Sequence, residues 1–145
     1  MQFAGFDHID LRVADLAAER PLYDALLPAL GLTDIVESPE ACEYYEPMEP
    51  GESRRFLGLN ADPAHRGNST RICFAAASPS DVDRLAQIVL GAGARAIEGP
   101  EIPYSSEKYY AVFFEDGSGN KFEIAYRRPH VAQAARGFAE TGSAD

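Results

Sequence analysis

His8, Arg71 and Glu123 are the side chains of this chain around which chemistry can be built. His8 lies in Phe6 to Val13, where Ile9, Leu11 and Val13 alternate with His8, Asp10 and Arg12. A period of two puts the imidazole on the polar face of a strand. There it can ligate a metal or act as a general base near neutral pH, or it can be a hydrogen-bonded cleft histidine without chemistry. Glu123, in the run Lys121 to Tyr126, has three readings: ligand, general base, or ion-pair partner of Arg71. The third is favoured, because strand alternation turns both side chains to an inward face and a guanidinium can grip a carboxylate with two bonds. His8 and Glu123 are thus the catalytic candidates. Arg71 is a binding candidate, and Tyr104, Tyr109 and Tyr110 surround the last long loop and strand.

The other reactive residue types carry less. Tyr109 and Tyr110 are on opposite faces of one strand, so one of them faces the cleft. Phe56, Phe74, Phe113 and Phe122 are expected to face the core or a helix. Cys42 and Cys73 form no CxxC motif and no disulfide framework, and each reads as a small buried hydrophobe. His65 falls in a linker beside Asp62, Pro63 and Gly67, and His130 beyond the last strand. Glu46, Glu49 and Glu52 belong to a Pro/Gly loop and read as charged surface. Arg54 and Arg55 mark a solvated strand end or the edge of an anion site. No Gly-rich phosphate loop and no Ser-His-Asp arrangement is present.

The elements that must position these residues follow from the pattern. Asp15 is an N-cap, followed by Leu16, Tyr23, Leu26, Leu27 and Leu30 at helical spacing, with a stop at Gly31. Pro21 and Pro28 predict a kink in that helix. Thr33 to Glu37, Cys42 to Tyr45 and Arg55 to Leu59 are strands. Asn60 to Ser69 is a linker. The order then restarts, with strand Arg71 to Ala76 and a capping pair, Ser78 and Asp81. A helical stripe of Val82, Leu85, Ile88 and Val89 ends at Gly91-Ala92-Gly93. Three more strands follow, Arg95 to Ile97, Tyr109 to Phe114 and Lys121 to Tyr126, the last two joined by a turn at Asp116 to Asn120.

Each half is therefore strand, helix, three strands. His8-Ile9-Asp10-Leu11 aligns with Arg71-Ile72-Cys73-Phe74, and Arg55-Phe56-Leu57-Gly58 with Lys121-Phe122-Glu123-Ile124. The fold class expected is α+β: two βαβββ modules in one pseudo-two-fold domain, with curved sheets around a central cleft. The domain is 1-128, with modules at about 6-60 and 69-127, and 129-145 is a C-terminal tail.

The chain has 145 residues and a formal charge of −10, which disfavours nucleic acid and anionic membranes as partners. No run approaches the ~20 apolar residues of a membrane span. The N-terminus lacks the pattern of a signal peptide, so a cytoplasmic location is expected.

The opening His8-Ile9-Asp10-Leu11-Arg12-Val13-Ala14-Asp15-Leu16 resembles the first strand and helix cap of the vicinal oxygen chelate superfamily. That superfamily includes glyoxalase I, bleomycin-resistance proteins, fosfomycin-resistance enzymes and extradiol dioxygenases. Tyr23 to Leu32 is similar to its helix ending in Leu-Gly-Leu. Tyr109 to Asp116 and Gly119-Asn120-Lys121-Phe122-Glu123 are similar to its closing hairpin, with Asp-Gly-Ser-Gly-Asn where Asp-Pro-Asp-Gly-Asn is usual. The resemblance covers about Phe6 to Tyr126, and it implies that the stretch with Tyr104, Tyr109 and Tyr110 lines a substrate pocket, which makes these three, with Arg71, the substrate-binding candidates.

The resemblance implies a divalent metal in the cleft, held by up to four inward strand positions. In this chain these are His8, Leu57, Arg71 and Glu123. His8 and Glu123 match a metal-binding role. Leu57 has no donor, and Arg71 stands where a histidine is usual. A guanidinium has no lone pair to give and repels a cation. Two ligands fall short of the three that a catalytic zinc needs. The expectation is a small-molecule-binding protein of this superfamily with an altered metal site, enzyme or not. The alternative is a metal-dependent glyoxalase-like lyase, epimerase or dioxygenase. The expected partner is a small molecule, with an anionic one compatible with Arg71. A homodimer is compatible with the resemblance.

Overall fold

The computed structural model describes residues 1–102 and 109–129. Tyr104, His130 and the tail from 130 onward lie outside the described residues. The first half contains β1 (His8–Val13), α1 (Leu16–Ala29), β2 (Asp34–Glu37), β3 (Ala41–Tyr45) and β4 (Phe56–Ala61). The second contains β5 (Arg71–Ala75), α2 (Pro79–Gly91), β6 (Arg95–Glu101), β7 (Tyr109–Glu115) and β8 (Lys121–Arg127). The two sheets have the orders β1-β4-β3-β2 and β5-β8-β7-β6, so the second half repeats the topology of the first. In each, the first and last strands pair in parallel and the others antiparallel. The parallel pairs require a crossover, which the helix of each half supplies. This is the α+β, two-module architecture that the repeat predicts. Among the described residues no helix is long and apolar enough to cross a membrane.

Local chemistry sets the helix limits. Asp15 Oδ1 accepts the Ala18 N–H at 3.1 Å and starts α1. Ser78 Oγ accepts the Asp81 N–H at 3.1 Å and donates to Asp81 Oδ2 at 2.8 Å, which is the capping pair expected for α2. Gly31 and Gly93 follow the two helices with φ of 96° and 89°, a conformation that stops a helix with no Cβ penalty. One helix runs through Pro21 and Pro28. Its buried face, with Leu22, Tyr23, Leu26 and Leu27, holds it in register. Packing thereby offsets the backbone bond that Pro21 lacks.

Both helices lie on one side of the sheets and touch each other. Their apolar stripes share a single core with Cys42, Tyr44, Leu57, Leu59, Val112, Phe114, Phe122 and Ile124 from the strands. The alternate residues of each strand form the opposite, polar face. β1 and β5 lie along one another in opposite directions. A cavity of about 230 Å³ joins His8 and Ile9 to Phe74 and Ala75, and another of about 220 Å³ joins Leu11 and Arg12 to Thr70 and Ile72.

A polar network locks the two modules together. Asp116, in the β7–β8 turn, accepts the Tyr23 hydroxyl at 2.6 Å, and Glu19 of α1 accepts the Gly117 N–H at 3.0 Å. Ser118 Oγ donates to Glu19 at 2.9 Å and accepts the Ala14 N–H at 2.9 Å. Asn120 donates to the Arg12 carbonyl at 2.9 Å.

Candidate functional site

The second module presents Arg71 and Cys73 on β5, Glu123, Ala125 and Arg127 on β8, and Tyr109, Ala111 and Phe113 on β7. All share the face away from the helices, because the intervening residues Phe122, Ile124, Val112 and Phe114 belong to the core. Cys73 is the register partner of Glu123, and Phe113 is its partner on the other side. Glu123 is 7% exposed, and its Oε1 has no hydrogen-bond partner among the described residues. Burial pushes the Glu123 carboxyl above the usual carboxylate range, and Arg71, Cys73 and Arg127 oppose that rise. Withdrawal from water, followed by the neighbouring Glu123 charge, pushes the Cys73 thiol up to about 11.

Arg71 and Glu123 are neighbours but not the expected ion pair. The Arg71 guanidinium lies over the Phe113 ring, 4.9 Å from its centroid. Arg127 does the same over Tyr109 at 4.6 Å. The ring face attracts each cation and holds it across β7. Phe113 is thus a correction to its expected core position. Cys73 is a second, since it stands on the polar face of β5 and outside the core, with its thiol turned toward Glu123 and partly shielded there. The Tyr110 hydroxyl donates to Asp83 of α2 at 2.6 Å, which places it on the helix side. Tyr109 is the tyrosine of the pair on the polar face.

His8 stands on the polar face of the first module. Its ring stacks on Phe56 at 4.6 Å, and Phe56 stacks on Tyr45 at 4.7 Å. Arg54 covers Tyr45 at 4.6 Å, so a ladder of flat groups crosses β1, β4 and β3. Phe56 is therefore also on the polar face, contrary to expectation. His8 Nδ1 is 2.7 Å from Asp7 Oδ2, and that hydrogen bond, aided by Asp10, Asp7 and Glu43, raises the imidazole above its ordinary value. No described cavity contains His8 together with Arg71 or Glu123. His8 lines the cavity with Phe56 and Phe74, and Arg71 lines one of about 100 Å³ with Phe113, Glu98 and Lys121. His65 is fixed at Asn120 by a 3.1 Å contact.

Leu57 requires a correction as well. It is 2% exposed and belongs to the core. The register pairs Asp10 with Gly58 and Cys73 with Glu123, so the module-one counterpart of Glu123 is Gly58 rather than Leu57. The inward position on β4 thus carries no side chain at all. Arg127, Cys73 and the Phe56–Tyr45 stack were missed as site residues. Arg127 had a signal, since it is four residues from Glu123 and shares its strand parity.

A sequence model of the glyoxalase/bleomycin resistance protein/dioxygenase superfamily matches residues 5–124. The chain belongs to this superfamily. A solved glyoxalase/bleomycin resistance protein from Albidiferax ferrireducens T118 is similar, at 29% identity, with a TM-score of 0.66 over 84% of this chain and 98% of that one. A superfamily enzyme from Burkholderia phytofirmans PsJN shares the fold at 20% identity and a TM-score of 0.62, covering 83% and 97% of the two chains. The fosfomycin resistance protein FosX from Listeria monocytogenes does so at 18% and 0.61, covering 86% and 94%. No curated protein matches the chain significantly.

The divalent metal implied by the superfamily does not fit these residues. Among the described residues no three His, Cys, Asp or Glu side chains cluster as a metal site. The acidic group best placed to bind one, Glu123, has the Arg71 and Arg127 charges beside it. Gly58 and Arg71 supply no donor side chain where the superfamily implies ligands.

Proposed function

We propose that this chain binds a small molecule on the polar faces of its two modules without a resident metal, through the residues that replace the metal site. The observation that carries this reading is the Arg71 guanidinium beside Glu123. A fixed positive charge competes with a cation for the carboxylate and cannot be titrated away. His8, Glu123, Arg71 and Tyr109 remain the residues assigned to the ligand. On the first module's face the room left by Gly58 is taken by Asp10, whose Oδ1 lies 2.7 Å from where a Cβ would stand. Glyoxalase-like or dioxygenase chemistry is the competing reading. Its support is the unpaired Glu123 Oε1, an acceptor that a metal would satisfy.

Metal analysis of the purified protein, with Zn²⁺ and Ni²⁺ titrations, separates the two. The metal-free reading expects substoichiometric metal and weak binding in the parent, with higher affinity in Arg71→His. Tight stoichiometric binding by the parent, abolished by His8→Ala and by Glu123→Ala, would return the chain to the metalloenzymes.

A further inference from the structure

Glu123 Oε1 is the one buried side-chain nitrogen or oxygen among the described residues that has no hydrogen-bond partner. An acceptor left bare in a low-dielectric setting costs free energy, and such atoms in native structures call for a specific partner. The surroundings specify that partner. Arg71 lies over Phe113, the register partner of Glu123, and Arg127 stands four positions along β8 from Glu123, over Tyr109; both oppose the rise of the Glu123 carboxyl. Neither closes a salt bridge among the described residues. Each instead rests on an aromatic face of β7, Phe113 for Arg71 and Tyr109 for Arg127.

Between these two supports β7 and β8 carry only small side chains. Ala111 stands between Tyr109 and Phe113 on β7, and its register partner is Ala125 on β8. Glu98 and Glu101 of β6 border this strip as register partners of Phe113 and Ala111, so its two guanidinium groups, which have no salt bridge among the described residues, stand among carboxylates. The two guanidinium groups match one ligand carboxylate, which each can grip with two hydrogen bonds. The bare Oε1 requires, in addition, a hydroxyl or amino hydrogen.

We propose that this face binds a small 2-hydroxy or 2-amino carboxylic acid. Arg71 and Arg127 take its carboxylate, and Glu123 Oε1 accepts a hydrogen from the adjacent hydroxyl or amine. The proposal rests on the metal-free reading above and names the ligand class of that site. The arginines are mobile enough to turn from ring to ligand, since cation–π contacts at exposed sites are weak. The rings then remain as walls for an apolar substituent.

The test uses three probes that share a phenyl ring: mandelate, phenylacetate, which lacks the hydroxyl, and mandelamide, which lacks the charge. Binding to the full chain is followed by amide chemical-shift titration, with EDTA present so that chelation of stray metal contributes nothing. Mandelate is expected to bind about tenfold more tightly than either analogue, the effect of one charge-assisted hydrogen bond. Shifts should map to β5, β7 and β8. Arg127→Ala, an exposed position that folding tolerates, should weaken both acids about tenfold and leave mandelamide unchanged. Glu123→Leu should bring mandelate down to phenylacetate.

Mandelamide binding as tightly as mandelate, indifference to Arg127→Ala, or no shift with mandelate up to its solubility would each overturn the proposal. Failure here in a protein shown to be metal-free removes the ligand class and leaves the metal-free reading standing. Tight stoichiometric zinc removes that reading whatever the acids do.

Discussion

Asp116→Asn should destabilise this protein more than any change on the polar faces. Asp116 is 1% exposed and accepts four hydrogen bonds. Oδ1 receives the Ser118 N–H at 2.9 Å and the Asn120 N–H at 2.8 Å. Oδ2 receives the Tyr23 hydroxyl at 2.6 Å and Asn120 Nδ2 at 2.8 Å. An asparagine can keep the two backbone bonds with its carbonyl. Its NH₂ must then occupy the Oδ2 position, where it meets the Asn120 NH₂ as donor against donor. The Tyr23 hydroxyl can reverse and accept, so one bond is lost outright and the others lose their charge assistance. Hydrogen bonds to charged groups contribute about 1.5–3 kcal/mol each. The net loss is on the order of 3 kcal/mol, or a fall in Tm of about 10 °C for a chain of this size. Urea unfolding should show a lower midpoint at unchanged slope. Tyr23→Phe should lose about 2 kcal/mol. The double variant should lose less than the sum, because both changes act on the same bond. A loss below about 1 kcal/mol for Asp116→Asn, or strict additivity, would refute the idea that this turn clamps the second module onto α1.

Two further outcomes test the site. His8 should titrate above its ordinary 6.5 by NMR, and Asp7→Asn should bring it down, since the Asp7 hydrogen bond is the leading cause of the rise. Any stability from this pair is fully present below the unfolded value and fades as pH rises through the folded one; a His8 value below 6.5 would contradict the Asp7 contact. Leu57→His should cost about 3 kcal/mol in urea unfolding and add no zinc affinity, because position 57 faces the core. A stable Leu57→His protein with improved metal binding would show that β4 is turned the other way.

The repeat was legible in the residues because each strand and helix carries its own period, and those periods come from backbone geometry alone. Alternation placed His8, Arg71 and Glu123 on polar faces, and caps at Asp15 and Ser78 marked both helices. It failed at β4 because Phe56 and Leu57 are both apolar, so nothing local says which one faces the core. Pairing with β1 decides it: Ile9 lies beside Leu57 and His8 beside Phe56. Tyr109-Tyr110 posed the same problem, and Asp83 on α2 resolved it by taking the Tyr110 hydroxyl.

Glu19 looked like any charged residue in the first turn of a helix. It is buried only because a turn almost a hundred positions later folds onto it and supplies its donors. The partner of Arg71 was likewise undetermined, since a guanidinium can choose a carboxylate or a ring. The strand order sets Phe113 and Glu123 side by side, and the ring takes the guanidinium while Glu123 keeps a bare oxygen. The sequence by itself determined the modules, their order and the faces on which most polar groups lie, because these depend on neighbours within a few residues. Which polar groups meet, and which one is left without a partner, depends on contacts between distant strands, and only the tertiary structure decides those.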